Sequence, residues 1–393
     1  MLKRSVGYAY PWDYAGDPAA ARRAATLGLD AVAIAASYHA TRAATPLHPE
    51  HRIHDAEHAA CYVPVREQAW RGHRLVPAVP AWEPDGDSFA AAHGQLMAQG
   101  LQVEAWIVLT HNSALGRAHP GLVVRNAFGD LYPYALCPAA PYVQEYCLTL
   151  VEEVLGSAPL DGVILEACGP MGFDHAGKHE KTEFPQWDEV DRTLLSLCFC
   201  RACRDRYDSA GVDHDRLAEV VRAGVDTGSG TVEDRLGERL AANVAAIRTG
   251  IARRLRELLV ATCRSVDLSV RITVHGSSDP WATGSFATVQ PAVGDGVDGV
   301  VASCWDPPAG SRRIKDLRAL AGPGTDVGAY LRLDRDWSAD ETTDRRLQDY
   351  LASGMTELHL YHLGLLGHQG IETMRRVIDT TRELAARARP GAP

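Results

Sequence analysis

The stretch DGVILEACG, residues 161–169, is an apolar run that delivers a carboxylate, Glu166, near its end. Short apolar runs of this kind, rich in β-branched residues, are typical of buried strands. We therefore predict a buried strand over 162–166 with Glu166 at its carboxyl end. A His-rich segment, DHAGKHEK (174–181), and a cysteine-rich one, CFCRAC (198–203), follow it.

Seven similar runs occur along the chain and alternate with segments of helical period. The eight predicted strands are 5–10, 31–37, 102–110, 162–166, 269–275, 299–304, 327–333 and 357–362. The predicted helices are 17–27, 88–99, 142–155, 233–265, 311–321, 340–353 and 371–387. Eight β–α repeats predict an α/β fold of the (β/α)8 TIM-barrel type. The competing doubly wound sheet would carry Gly-x-Gly-x-x-Gly after its first strand, and this sequence does not.

The chain has 393 residues, against about 250 for a typical TIM barrel. We assign the surplus to two insertions, residues 40–85 after strand two and 170–232 after strand four, with an extra strand at 75–79. Long loops at the carboxyl ends of barrel strands enlarge the catalytic face. We predict a single TIM-barrel domain over 1–393, with a frayed tail at 388–393.

Composition limits the class of partner. Hydrophobic residues make up 46% and charged residues 23%, which is ordinary for a soluble globular protein. The net charge of −10 argues against nucleic acid or an anionic membrane, because either would require a basic face. We find neither a secretion signal nor an apolar stretch long enough to span a membrane, so we expect a cytoplasmic protein with a small-molecule partner. The sequence does not decide between a monomer and a homo-oligomer.

Three of the nine cysteines have the spacing C-x-C-x-x-C. In a reducing compartment such a cluster predicts metal ligands before disulfides, although single buried cysteines usually act as small hydrophobic residues. Zinc takes four thiolate or imidazole ligands, and a site made wholly of protein ligands is structural. We predict a structural Zn²⁺ that pins the second insertion to the barrel. The proposed ligands are Cys198, Cys200 and Cys203, with Cys137 as the fourth and Cys168 or His179 as alternates.

Polar and aromatic residues follow most of the predicted strands. In a TIM barrel the carboxyl ends of the strands surround one shared site. Aromatic rings beside carboxylates suit sugars, whose ring faces stack while acids meet the hydroxyls or the glycosidic oxygen. We therefore predict a carbohydrate substrate. The predicted substrate-binding residues are Tyr10, Tyr38, His39, His111, Asn112, His275, Trp305, Asp306, Arg332 and His362.

Glu166 is the predicted general acid/base. Because its strand is apolar, we expect desolvation to raise the pKa of Glu166 towards the value that a proton donor needs. The alternative is a structural role, in which Glu166 pairs with Arg332 or accepts from a backbone amide.

Three features together resemble glycoside hydrolase family 42 β-galactosidases: Cys137-Pro138 before a helix, strand four ending in Glu166, and CFCRACRDRY from Cys198. The resemblance covers about 136–207. It implies a TIM barrel in which Glu166 is the acid/base and the four cysteines, Cys137 included, bind a structural zinc.

The sequence departs from that family at two places. The family has an asparagine before its acid, where this chain has Leu165. The family's nucleophile is a glutamate on strand seven, where this chain reads DVGAYLRLD (326–334). Asp334 is the nearest carboxylate and our prediction for the second catalytic residue, with Asp306 and Asp279 as alternatives. Separations of about 5–5.5 Å or 6.5–9.5 Å between the two carboxyls would distinguish a retaining from an inverting enzyme.

Two other functions fit parts of the pattern. A metal-dependent sugar isomerase or other barrel hydrolase would use His39, His111, His275 and His362 with Zn or Mn. The sequence has no His-x-His after strand one and no glutamate on strands five to seven, which disfavours it. A sugar-binding barrel that has lost its nucleophile is the remaining alternative, and it is not an enzyme.

Overall fold

A computed structural model describes residues 2–83, 87–174, 181–182, 184–333, 337 and 341–387. Eight parallel strands close a barrel in which each strand pairs with the next and the last pairs with the first. They are β1 Arg4–Ala9, β2 Ala31–Tyr38, β3 Gln102–Val108, β4 Gly162–Glu166, β5 Arg271–Ser277, β6 Gly299–Ser303, β7 Asp326–Arg332 and β8 Glu357–Tyr361. The predicted TIM barrel is confirmed. The tail at 388–393 lies outside the described residues.

Helices follow the strands and cover the barrel. They are Ala20–Thr26, Glu67–Trp70, Ser88–Met97, Ser113–Ala118, Pro141–Leu155, Glu189–Leu195, Arg201–Ser209, His214–Gly224, Val232–Leu236, Glu238–Val266, Pro307–Leu320, Glu341–Ala352 and His368–Arg387. The helix predicted at 233–265 is two helices, because Gly237 between them has φ of 82°, a conformation that glycine adopts most easily. None of the described helices combines the length and apolar character that a membrane span needs.

Short strands outside the barrel build its upper rim. After β2, Thr41–Ala44 pairs with Ile53–Ala56, and Ala60–Cys61 pairs antiparallel with β2. The strand predicted at 75–79 is wrong: the segment is irregular, and Pro77 within it has no N–H to donate to a strand ladder. A further hairpin, Val123–Arg125 with Leu131–Leu136, lies between β3 and β4. We did not predict it.

The inside of the barrel is charged at the amino end of the strands. Arg4 Nη2 lies 2.7 Å from Glu104 Oε1, and Arg271 Nη2 lies 2.7 Å from Glu357 Oε1. Glu104 and Glu357 are almost wholly buried. Breaking a buried pair of this kind by removing one partner typically costs about 3–5 kcal/mol. The pairs therefore hold four strands of the barrel floor in register.

Glycines make room for these inward-facing groups. A Cβ added at Gly299 would lie 3.1 Å from Arg271 and 3.3 Å from Glu357, and one added at Gly328 would lie 2.7 Å from His359. Apolar residues alternate with the polar ones and are buried against the helices, as Val103 and Ile107 are on β3. The apolar core therefore lies mainly between the barrel and its helices.

Candidate functional site

Glu166 ends β4 and is 5% exposed. Trp106 donates its indole N–H to Glu166 Oε2 over 2.7 Å, and His275 Nδ1 lies 3.3 Å from the same oxygen. The next residue, Ala167, has φ of 55°, a left-handed conformation that is uncommon for a residue with a Cβ. Its N–H donates to the Ser285 carbonyl. Backbone strain of this kind concentrates at functional sites.

The pKa of Glu166 is lower than the ordinary value of a glutamate. Burial acts to raise this pKa, but the close approach and charge of His275 outweigh burial, with smaller help from His39 and Ser285. The expectation that desolvation would raise the pKa of Glu166 is therefore wrong. At neutral pH Glu166 is a carboxylate.

A buried chain of hydrogen bonds runs from His275 down the inside of the barrel. His275 Nε2 lies 2.9 Å from the Tyr8 hydroxyl, and that hydroxyl lies 3.0 Å from His359 Nδ1. His359 Nε2 lies 3.3 Å from Glu357 Oε2. Each of these side chains is at most 1% exposed. The chain therefore joins Glu166 at the mouth of the barrel to the ion pairs at its floor.

The ends of this chain determine where its protons lie. Burial raises the pKa of Glu357, but His359 and two arginines lower it further, so Glu357 is an acceptor. Burial lowers the pKa of His359, so His359 is neutral, donates from Nε2 and accepts from Tyr8 at Nδ1. The Tyr8 oxygen then accepts from His275 Nε2. His275 Nδ1, on the other side of the ring, faces the Glu166 carboxylate.

Aromatic rings surround the space above Glu166. The Tyr10 hydroxyl lies 3.2 Å from that of Tyr38 and 3.1 Å from that of Tyr361. Trp305 is 37% exposed and stacks on Tyr330 at 5.9 Å between ring centroids. The mouth thus combines a buried carboxylate with stacking surfaces and hydroxyls, as a sugar-binding site requires.

The remaining predicted residues lie around this mouth or support it. His39 stacks between Tyr38, at 4.1 Å, and His111, at 4.3 Å, and the Arg332 guanidinium lies 5.1 Å from the Trp305 ring. These contacts bring most of the predicted residues into one network.

Two of the predicted residues that the structure describes stand apart from it. Asn112 accepts the Leu115 N–H and so caps the helix Ser113–Ala118. Asp306 is exposed at the start of the helix Pro307–Leu320. Asp334, the predicted second carboxylate, lies outside the described residues.

One functional candidate that the sequence did not reveal is Asp13, in the turn after β1. It is buried, accepts the Tyr10 N–H and lies 3.8 Å from His362. His362 in turn packs against Tyr10, with 4.0 Å between ring centroids and 32° between the ring planes. Burial raises the pKa of Asp13 to about 7, against an ordinary value of 3.8.

Of the buried chain of hydrogen bonds, His275 was predicted, but His359 and Glu357 were missed, although a signal exists. Tyr8 on β1 with Tyr10 just after it, Glu104 and Trp106 on β3, and Glu357, His359 and Tyr361 on β8 recur at every second position. Alternate residues of a strand point to the same face, and here that face is the barrel interior. Polar residues with period two inside apolar strands would have identified the set.

The four predicted metal ligands converge. The sulfurs of Cys137, Cys198, Cys200 and Cys203 all lie within 4.8 Å of one another, and all four residues are buried. The Cys137 and Cys203 sulfurs are 3.5 Å apart, and those of Cys137 and Cys198 are 3.8 Å apart. A tetrahedral zinc with bonds of about 2.3 Å places its sulfurs about 3.8 Å apart. The group can therefore hold one metal ion.

The surroundings of the sulfurs fit the same conclusion. Hydrogen bonds from the thiol of Cys137, and from those of Cys198 and Cys203, hold the pKa of Cys200 well below its usual range, so the cluster stabilises a thiolate. Apolar residues such as Leu194, Phe199 and Val244 enclose it. Among the residues that the structure describes, no other group of three or more histidines, cysteines and acids converges in this way. The four histidines of the metal-dependent alternative do not form such a ligand set.

Comparison with solved structures finds glycoside hydrolase barrels. The catalytic domain of a β-amylase from Paenibacillus polymyxa has a TM-score of 0.58 at 11% identity, over 99% of this chain and 100% of that one. A β-galactosidase from the psychrophilic Marinomonas ef1 has 0.58 at 12%, over 98% of this chain and 60% of that one. α-L-Fucosidase isoenzyme 2 from Paenibacillus thiaminolyticus has 0.57 at 12%, over 98% and 50%. This chain thus spans about half the length of that fucosidase.

At these identities the likeness shows the fold, which these glycoside hydrolases share with the chain. No protein-family model matches the sequence, and no curated protein sequence matches it. The specific resemblance to family 42 β-galactosidases therefore stays a prediction. What is shown is a TIM barrel of the kind found in glycoside hydrolases, with a buried carboxylate at the end of β4.

Proposed function

We propose that this protein is a glycoside hydrolase that acts on a small soluble carbohydrate in the cytoplasm and works as a single domain. The observation that carries the proposal is the ionised, buried Glu166 beneath a mouth of tyrosines and tryptophan. Carboxylates in such sites act on the anomeric carbon, where positive charge develops in the transition state.

The ionised state of Glu166 decides which half of the acid/base role we assign to it. As a carboxylate it accepts the proton of an attacking water, or it stabilises the positive charge at the anomeric carbon. The departing oxygen must receive a proton from a second acid. We assign this acid role to Asp334, which we predicted above as the second catalytic residue, because it follows the end of β7 by two residues in the sequence.

The proposed residues around Glu166 have separate roles. Trp106 and His275 orient the carboxylate, and the closeness of His275 keeps the pKa of Glu166 low. Trp305 offers an exposed ring face on which a sugar stacks, and Tyr10, Tyr38 and Tyr361 offer hydroxyls to those of the sugar. His39, His111, Arg332 and His362 shape the rim.

The test is Glu166→Gln, assayed on a panel of 4-nitrophenyl glycosides that includes β-D-galactoside, α-L-fucoside and α-D-glucoside. We expect kcat/KM to fall by about 10²–10⁴-fold, the usual contribution of a general acid or base. The melting temperature should change little, because the glutamine amide oxygen still accepts from Trp106. Glu152→Gln, the same change on an exposed helix position, is the control.

Full activity in Glu166→Gln would overturn the assignment. Binding of these glycosides without turnover by the unmodified protein would instead favour a non-catalytic sugar-binding barrel.

We also propose that the four cysteines bind a structural Zn²⁺. The support is the number, burial and spacing of their sulfurs. A site with four protein ligands has no open position for substrate, so its contribution is to folding. When bound, the ion would link the hairpin that ends at Leu136 to the helix Arg201–Ser209.

A further inference from the structure

The first insertion encloses a group of buried polar atoms that have no hydrogen-bond partner among the described residues. They are Trp12 Nε1, His54 Nε2, the Tyr62 hydroxyl, Trp82 Nε1 and both carboxylate oxygens of Glu83. Leaving one such group unpaired costs about 1–3 kcal/mol, and folded proteins pair nearly all of them. Six in one place indicate a surface arranged to receive hydrogen bonds from outside the chain.

The rings that carry these atoms pack around one another. His54 lies flat on Trp12, with 4.3 Å between centroids and 10° between planes, and Tyr62 meets the edge of Trp12 at 5.4 Å. Trp82 lies 6.1 Å from His54 and 6.5 Å from Tyr62. Trp12 is 2% exposed and Tyr62 is fully buried, whereas His54, Trp82 and Glu83 are half-buried. The group therefore has a closed floor and an open rim.

The chemistry of the group favours a neutral, hydroxylated ligand. Two indole N–H groups and a phenol donate, and one carboxylate accepts, which matches the mixed donors and acceptors of a sugar ring. Burial lowers the pKa of His54 to about 4, so this imidazole is neutral and brings no positive charge for an anion. A cation would leave the two indoles and the phenol without acceptors. Flat aromatic surfaces beside polar groups suit the apolar face of a sugar.

The group is one aromatic layer away from the barrel mouth. Tyr10 stacks on Trp12 with 4.3 Å between centroids and 21° between planes. The hydroxyl of the same Tyr10 faces Tyr38 and Tyr361 above Glu166. A ligand held against Trp82 and Glu83 would therefore lie beside the site at Glu166 rather than within it.

We propose that Trp12, His54, Tyr62, Trp82 and Glu83 form a second binding site that takes one hexose ring. As a place for a distal unit of the substrate, this site rests on the proposed function. As a sugar-binding site it does not depend on the proposed hydrolase function. Glu83 and Tyr62 contribute the central hydrogen bonds, because the Tyr62 hydroxyl and both Glu83 oxygens are buried without a partner among the described residues.

The test is a calorimetric titration of the whole protein with D-galactose and with D-glucose, in the unmodified chain and in Tyr62→Phe and Glu83→Gln. Each variant loses one buried hydrogen bond to the ligand and keeps its shape. We expect the affinity for the preferred hexose to fall about tenfold in each. Tyr142→Phe, the same change on an exposed tyrosine, should leave the affinity unchanged.

Two outcomes would overturn the site. One is the absence of binding of either hexose to the unmodified protein. The other is unchanged affinity in Tyr62→Phe and Glu83→Gln, which would mean that water alone satisfies these groups. Glu166→Gln separates this proposal from the proposed function: it should abolish hydrolysis and leave binding at the second site intact. Melting temperatures close to that of the unmodified protein confirm that the variants fold.

Discussion

The cysteine cluster and the barrel mouth lie at opposite ends of the same stretch of chain, and they are built on different principles. Four identical sulfurs converge on one point and are closed off by apolar residues. At the mouth, Glu166 meets an indole, an imidazole and phenols beneath an exposed tryptophan. Four identical ligands enclosed by apolar residues suit a permanently bound metal ion. Chemically different side chains around a mouth that is open on one side suit the binding of a substrate.

The two regions are nevertheless joined. The strand Leu131–Leu136 leads directly into Cys137, and its Ala135 pairs with His111 beside the mouth. Tyr134 on the same strand donates to the carbonyls of Gly172 and Phe173 after β4. The cysteine cluster and the rim of the barrel are therefore linked through this strand.

The largest expected effect is on stability, from Cys198→Ala. Loss of a metal ligand is one of the few single changes that reach about 5 kcal/mol, because the energy of metal binding is part of the folding energy. We expect a loss of that size in the free energy of unfolding, together with loss of bound zinc. Urea unfolding and elemental analysis measure both.

Cys263→Ala is the matched control, since Cys263 is equally buried but lies outside the cluster. It should cost about 1 kcal/mol and leave the zinc content unchanged. If both variants lose the same stability, the cysteines are ordinary core residues and the contrast between the two regions fails.

The next largest effect concerns Asp13 and pH. Its pKa of about 7 in the folded protein exceeds the ordinary 3.8, so the folded state holds this proton more tightly. The resulting stability is fully present below about pH 4 and is lost as pH rises through 7, at most about 4 kcal/mol in total. Asp13→Asn should remove this dependence. The free energy of unfolding of the variant minus that of the unmodified protein should therefore be about 3 kcal/mol larger at pH 8 than at pH 4.

Free energies of unfolding at pH 4, 6 and 8 provide the measurement. Parallel curves for Asp13→Asn and the unmodified protein would show that the region behind the mouth does not hold a neutral carboxyl group.

The smallest effect is on catalysis, from Tyr8→Phe. Without the Tyr8 hydroxyl, His275 Nε2–H has no acceptor, so His275 is held less firmly against Glu166 and the pKa of Glu166 rises. The acidic limb of the kcat/KM profile should therefore move to higher pH, and kcat/KM at pH 6 should fall about tenfold.

Tyr330→Phe removes a neighbouring buried hydroxyl that has no hydrogen-bond partner among the described residues. Its profile should match that of the unmodified protein. If kcat/KM of Tyr8→Phe falls equally at every pH and the acidic limb does not move, the buried chain of hydrogen bonds supports the barrel and does not set the pKa of Glu166.

The barrel, the ligand cluster and most of the mouth could be predicted because each leaves a local pattern. Apolar runs reveal strands, the C-x-C-x-x-C spacing reveals the sulfurs, and polar residues at strand ends face one site in any TIM barrel. Glu166 and Trp305 were placed at this end of the barrel in this way, and their roles stay predictions. Their positions depend on topology alone, which the alternation of strands and helices determines.

The ionisation of Glu166 could not be predicted in this way, because it depends on a residue 109 positions away in sequence, His275. Apolar neighbours in sequence suggested a raised pKa, but the decisive neighbour belongs to another strand. Asp13 was missed for the same reason: its burial results from packing of the turn after β1 against the segment that contains His362.

The buried chain from Glu166 to Glu357 also bears on how this barrel can be recombined. Each of its side chains satisfies the one before it, and they come from β1, β4, β5 and β8. A chimera that takes one of these strands from another barrel would leave a buried hydrogen-bond donor or acceptor without a partner. Hybrids in which β4 or β5 alone is replaced should therefore be unstable. The four strands can be transferred to another barrel only together.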